Sequence, residues 1–217
     1  MSATPAYNTV IEITGTSTAM VAEAMTGSGA GPYQVTSAKR VFDPTATFTF
    51  YDNGIAISAS DILAVDYLFG KVTFTSSKTG PITVSGSYLP RLTFLEGRAA
   101  GISLDADELD TSVFGSGWKN SAAGLMQLTV DVETLALLTA DMDPGAGSRK
   151  LSSIFLNRTS VVLSVTPGGT GSAYRAFVIV PSEKEDAAVA DLLKATATFK
   201  STAPRAVDGT IVTPTIG

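Results

Sequence analysis

Short runs in which apolar and polar residues alternate, separated by turns rich in glycine and proline, make up most of this chain, and that period of two is the signature of half-buried β-strands. Val10 to Thr14, VIEIT, is the first such run. The segment from Ser17 to Thr26 fits two readings, because Met20, Val21 and Met25 suit a helical face as well as an extended one. GSGAGP at 27–32 is a flexible loop. A strand at Tyr33 to Arg40 and a turn at Asp43-Pro44 follow. ATFTFY at 46–51 alternates, with Phe48 and Phe50 on one face. Asp52-Asn53-Gly54 then supplies the left-handed residues of a tight type I′ hairpin turn, and Ile55-Ala56-Ile57 is the return strand. In DYLFGKVTFTSS, Gly70 interrupts an aromatic run at a turn or a bulge before a strand carrying Val72 and Phe74. Thr79-Gly80-Pro81 turns the chain into ITVSGSYL at 82–89, so residues 46–89 read as a β-meander.

After a junction at Pro90 and Arg91, a second series opens at Leu92 to Leu95. Its centre is LDADELDTSVFGSGWKNSAAGLMQLTVDVE at 104–133, two strand-like runs joined by a glycine-marked loop, with the return strand at Leu125 to Val132. Leu135 to Leu138 is a helical turn or a strand end. An exposed turn at Asp143 to Ser148 precedes strands at Lys150 to Leu156, Ser160 to Val165 and Tyr174 to Val180. One helix is predicted, at Ser182 to Lys194. Ser182 and Glu185 form a capping box there, Val189, Leu192 and Leu193 an apolar stripe, and Lys194 suits the dipole at the end. Ala195 to Ser201 leaves as a strand, and a Thr/Pro-rich tail follows. The predicted class is all-β, forming a sandwich or barrel, with one packed α-helix near the C-terminus.

Composition sharpens this. The 217 residues suffice for one good-sized β domain. Charged residues make up only 16% against 44% hydrophobic, which is low for a chain that covers itself with polar surface and points to surface hidden against partners. Cysteine and histidine are both absent. That removes disulfides, thiolate zinc sites, Ser-His-Asp catalysis and most transition-metal chemistry, so no cofactor and no metal is expected. The net charge of −5 argues against tight binding of nucleic-acid phosphates, though not against nucleic acid sliding past. MSATPAYNTV carries neither the basic nor the apolar region of a signal peptide, and no apolar run approaches a membrane span, so folding in a cytoplasm without a membrane is expected.

The candidate chemistry is thin. Asp105, Asp107, Glu108 and Asp110 are the densest acidic cluster, with Asp105 and Asp107 on one face of a strand. An EF-hand starting at Asp105 needs glycine at its sixth position and has Asp110 there. Glycosidase carboxylates come from separated parts of a chain, so a solvated edge or a subunit contact explains the cluster better. GSGAGP and PGGTG lack the Lys-Ser/Thr of a phosphate-binding loop. There is no GxSxG, and the Asn157-Arg158-Thr159 sequon has no secretory context. Lys71, Lys78, Arg149, Lys150 and Arg158 are scattered rather than grouped with aromatics as nucleic-acid binding requires. Trp118, the only tryptophan, suits a core or an interface as well as a ligand.

The run ELDTSVFGSGWKNSAAGL resembles the signature of the major tail tube proteins of long-tailed bacteriophages: an acidic strand, Thr and Phe-Gly, a further glycine, a basic residue, then Gly-Leu opening the next strand. The matching positions are Asp110, Thr111, Phe114, Gly115, Gly117, Lys119, Gly124 and Leu125, with Trp118 inside the loop. DYLFGKVTF at 66–74, with Tyr67, Gly70, Val72 and Phe74, is similar to a Tyr…Gly-x-Val-x-Phe pattern common in phage tail proteins, and a late helix feeding a strand matches the family's single packed helix.

The resemblance implies a tail-tube-like fold and a non-enzymatic role in the virion. In that family, β-sandwich subunits form hexameric rings whose inner strands join into a continuous barrel, and the rings stack into the tube through which the genome is ejected. The implied partners are further copies of the chain and the tape measure, terminator and baseplate proteins. DNA passes without specific binding, and assembly takes place in the host bacterial cytoplasm. The expected organisation is a single β domain over residues 1–217. Its core tube module lies at about 91–217, and residues 10–90 form an added β module or an elaborated inner sheet. The alternatives are a tail terminator or baseplate-hub protein of the same fold family, or a carbohydrate-binding β-sandwich.

Overall fold

Alternating apolar residues build strands throughout the computed structural model, which describes residues 10–93, 97–110, 121–137, 160–166, 172–189 and 192–216. Its strands form two antiparallel sheets, and the chain divides into two compact units.

The larger unit comprises Val10–Phe94, Val161–Phe177 and Ala203–Gly217. One of its sheets runs in the order β5-β4-β8-β2-β3-β7-β6. Its members are β2 (Thr18–Thr26), β3 (Tyr33–Val35), β4 (Thr49–Asp52), β5 (Ile55–Ala56), β6 (Ile62–Asp66), β7 (Lys71–Phe74) and β8 (Ile82–Tyr88). The other strands of this unit are β1 (Val10–Thr14), β9 (Arg91–Thr93), β12 (Val161–Thr166) and the start of β13 (Tyr174–Val189). Here β1 lies between β12 and β9, and the short β15 (Thr215–Ile216) pairs with Tyr174 and Arg175. All residues of β12 except the last are buried, which is why VVLSV reads as a continuous apolar run rather than an alternating one.

The core of this unit gathers Phe42, Phe50, Phe74, Leu68, Val35 and Val84 with Val162 and Phe177, so both of its strand groups contribute. Phe48 packs against Phe42 at 4.7 Å between ring centroids and meets Tyr67 edge-on at 5.9 Å. Gly86 is what admits it, because a Cβ there would lie 2.5 Å from the Phe48 ring.

Several turns follow from single residues. Asn53 and Gly54 have φ of 49° and 80°, as a type I′ hairpin turn requires. The Asp66 carboxylate accepts hydrogen bonds from the backbone N–H of Leu68 (3.1 Å) and Phe69 (3.0 Å), which starts the turn that Gly70 completes at φ 59°. The undecided segment at 17–26 is a strand, interrupted by a bulge between Met20 and Glu23, where Ala22 has φ 49°. The strand expected over 33–40 ends at Val35 and gives way to a 3-10 turn at Ser37–Lys39. The one expected over 46–51 begins only at Thr49.

The helix expected at Ser182–Lys194 is not formed. Residues 182–189 continue β13, and Leu192–Lys194 open β14 (Leu192–Thr202), paired in register with Leu137, Ala136 and Leu135. A helix of that length is marginal by itself, since nucleation is unfavourable and a capping box adds only about 1 kcal/mol. Pairing with a distant strand fills a whole row of backbone hydrogen bonds instead. The described residues contain no α-helix. The arm at 1–9, the turn at 143–148 and the strand expected at 150–156 lie outside them.

Two carboxylates of the larger unit tie its stability to acid pH. Burial acts to raise Asp43, but hydrogen bonds from Ser17 and Thr45 outweigh it and hold its pKa below the ordinary 3.8. Asp208 follows the same pattern, with burial opposed by bonds from Thr210 and the Tyr67 hydroxyl. A carboxylate depressed in the fold contributes stability above its unfolded pKa and loses it as pH falls through the folded value. The larger unit should therefore weaken below pH of about 4. Asp43→Asn combined with Asp208→Asn should flatten that acid limb in a series of thermal melts, and an unchanged limb would refute the assignment.

Candidate functional site

The second unit comprises Met1–Thr9, Leu95–Ser160 and Val178–Thr202. Among its described residues it is built on β10 (Gly97–Asp110) and β11 (Ser121–Leu137), which pair antiparallel from Gly97↔Thr134 to Asp110↔Ser121. On its other side β11 pairs with β14, but only from Thr129↔Lys200 to Leu137↔Leu192. β14 is followed in the sheet by β13, and β10 is the terminal strand. The far part of the hairpin, Leu104–Asp110 with Ser121–Leu128, is consequently a two-stranded ribbon. One contact beyond its ladder comes from Leu128, whose backbone N–H donates to Ser201 Oγ at 2.9 Å.

Toward β14 the strands are ordinary core strands. Leu128, Val130 and Val132 are buried at alternate positions of β11, and the β14 residues opposite two of them, Phe199 and Ala197, are buried as well. The polar side between them is bonded, with Thr198 Oγ1 donating to Asp131 Oδ1 at 2.6 Å. On β10 the picture changes. Ser103, Leu104 and Asp105 are all exposed, so both faces of the strand are open there, and Leu104 is 66% exposed. Among the described residues no strand pairs with this edge of β10, and a leucine on such an edge is the kind of surface that soluble proteins normally blunt with charge, proline or a covering element.

The three described residues of the tail-tube-like motif lie at the far end of this ribbon. Asp110 ends β10, and Gly124 and Leu125 lie near the start of β11. Pairing shifts between Ala106↔Met126 and Glu108↔Ala123, so Gly124 and Leu125 together stand opposite Asp107 in a β-bulge. The Gly-Leu pair of the motif is thus the place where the ribbon bends. Thr111, Phe114, Gly115, Gly117, Trp118 and Lys119 lie outside the described residues. Of the acidic cluster, the side chain of Asp105 is exposed. Among the described residues no three acidic side chains come together as a metal-ligand set.

Sequence reading located the strands on either side of the glycine-marked segment. It missed how far the strands extend past β14, and it missed Leu104 as an exposed apolar residue on β10. The only signal for either was the unusual length of the strand-like run before the loop.

No known protein family matches the chain, and no curated protein matches it. Among solved structures it is similar to a chain from the virion of a native gene transfer agent (GTA) particle, with 15% sequence identity and a TM-score of 0.43 over 52% of this chain and 85% of that one.

Proposed function

We propose that this chain is a virion structural protein that self-assembles into stacked hexameric rings forming the tail tube of a long-tailed phage. The observation that carries the reading is the β10–β11 hairpin, in which β10, 14 residues long, is terminal among the described strands and pairs over its far part with β11 alone. An isolated two-stranded ribbon is marginal in water, so an element of this length needs a partner to pair or cover it. A neighbouring copy adding its own edge along β10 meets that need, with main-chain hydrogen bonds giving affinity and side chains giving register. Closure of such a head-to-tail contact makes a ring, and the motif segment between β10 and β11 in the sequence is proposed as the contact with the next ring. The function is geometric, with no catalytic step. A net charge of −5 lets DNA pass without the phosphate contacts that would retain it. The tape measure, terminator and baseplate proteins are the partners at the tube's interior and ends.

Electron microscopy of the purified protein tests this. Rings stacked into tubes are expected, and Leu104→Glu should abolish them while leaving a folded subunit, because the side chain is 66% exposed in the single chain. Losing one buried leucine per contact costs about 1.5–3 kcal/mol, which weakens each interface ten- to hundredfold before charge repulsion is added. A protein that stays monomeric at every concentration would end the proposal. Single rings that never stack would point instead to a tail terminator or hub protein.

A further inference from the structure

The larger unit contains a cavity of about 470 Å³ that the assembly role does not use. Phe48, Phe50, Ile62, Leu63 and Val65 make an apolar wall on one side, and Val207, Asp208 and Thr210 of the C-terminal segment line it as well. Its size falls in the range of ligand sites, which combine a mainly apolar lining with a few fixed polar groups. Leu63 and Val207 are 67% and 59% exposed, so both contribute apolar surface that solvent reaches.

The polar groups are of one kind. Asp208 and Tyr67 are the only ionisable residues among the lining, and no cation is among them. The Tyr67 hydroxyl donates to the Asp208 carboxylate, and the Thr210 backbone N–H donates to Asp208 Oδ1 at 2.9 Å. These bonds hold Asp208 ionised, while burial and the neighbouring carboxylate push the Tyr67 hydroxyl well above its ordinary range and keep it neutral. The cavity thus offers a fixed negative charge at its solvent-exposed rim beside the apolar wall, with no cation among its lining residues.

The strand beside it narrows the choice of occupant. β6 is the outermost strand of its sheet, but its pairing with β7 shifts between Ile62 and Ala64, leaving Leu63 as a bulge. A bulge breaks the even row of backbone groups on which continuous strand addition depends. Recognition at this edge therefore falls to the side-chain cavity.

We propose that this cavity receives a lysine or arginine side chain, flanked by apolar residues, from an extended segment of a different protein. The aliphatic stem lies along Phe48, Ile62 and Val65, and the cationic head meets Asp208, as the amphipathic build of these side chains allows. A different protein fits better than a second copy, because the chain itself is acidic, with a net charge of −5.

The test uses the full-length chain carrying Leu104→Glu, a residue outside the cavity lining whose substitution keeps the subunit unassembled, and two-dimensional NMR, titrated with N-acetyl-leucyl-arginyl-leucinamide and with the analogues that replace arginine by norleucine or by glutamate. Shifts are expected at the amides of Thr47, Leu63, Ala64 and Val207 to Thr210, for the arginyl peptide only. Asp208→Asn should weaken binding by about tenfold, the usual scale for losing a charge-assisted hydrogen bond. Leu63→Lys serves as the second variant, since it changes an exposed rim residue without touching the core, and it should weaken binding by about as much through like-charge repulsion. The proposal is overturned if the arginyl peptide leaves these amides unmoved at millimolar concentration, if the norleucyl peptide binds equally well, or if both variants bind like the parent.

Discussion

Gly70→Ala is expected to destabilise the larger unit by about 2–5 kcal/mol, from a backbone and a packing cost that add. Gly70 sits at φ 59°, where an L-residue with a Cβ loses about 1–2 kcal/mol against its own backbone. A Cβ there would also lie 2.6 Å from the Arg40 carbonyl oxygen, 2.8 Å from Val35 Cγ2 and 2.9 Å from Arg40 Cα. Two of those three atoms are backbone and cannot rotate away. Relief requires moving β3 or the segment leading to Val41, and both belong to the aromatic core, since Val35 and Val41 are buried and Val35 N–H donates to the Gly70 carbonyl. Native-state hydrogen exchange at Val35 and Val72 measures the loss directly. Gly209→Ala is the control, because Gly209 also has positive φ (88°) but open space around its Cβ position, so only the backbone term applies. Equal effects at the two glycines would refute the packing half of the account.

The second large effect is expected at Arg175. Its side chain is 4% exposed, yet it carries a guanidinium whose Nη1 donates to the Leu68 carbonyl at 2.7 Å and whose Nε donates to Ser164 Oγ at 3.3 Å. The guanidinium carbon lies 4.4 Å from the centre of the Phe69 ring. Burial, with Arg91 and Arg40 nearby, draws its pKa down to about 10, against the opposing fields of Glu12 and Asp66, and it remains charged at neutral pH. Arg175→Ala strips a buried charge from this set, leaves the Leu68 carbonyl without its donor and opens a void, for an expected loss of about 3–5 kcal/mol. Arg175→Met keeps the volume and removes the charge that must be desolvated, so it should cost clearly less. Chemical denaturation of the two variants separates these terms, and a methionine variant as unstable as the alanine one would show that the hydrogen bonds, not the filled space, hold this region. Because Leu68 belongs to the turn that Gly70 closes, Arg175→Ala and Gly70→Ala should not be additive.

The turns show how local information becomes structure. Asn53-Gly54 was legible because the left-handed backbone of a type I′ turn admits few residue types, and both take it. Asp66 and Gly70 are similar, with a short acceptor side chain opening a turn and a glycine ending it. The strands around them were legible from alternation, although their ends moved by several residues where a neighbour stopped pairing.

Ser182 to Lys194 marks the opposite case. Every local signal there favours a helix, yet the chain extends β13 and opens β14 against β11, a strand more than fifty residues earlier. The candidate assembly site divides the same way. Its acidic approach and its Gly-Leu exit could be read along the chain as strands, whereas the ribbon standing clear of β14 depends on where pairing ends.

What the sequence determined by itself was the β class, the tight turns and the strands flanking the glycine-marked segment, because each rests on the conformations open to a few adjacent residues. The absence of cysteine and histidine likewise closed off whole chemistries at once. What only the tertiary structure decided was the strand in place of the helix, the outermost place of β10 among the described strands with Leu104 exposed on it, and the burial of Arg175 beside Leu68 and Phe69. Those outcomes turn on which distant segments compete for the same backbone hydrogen bonds and the same buried space, and no local pattern records that competition.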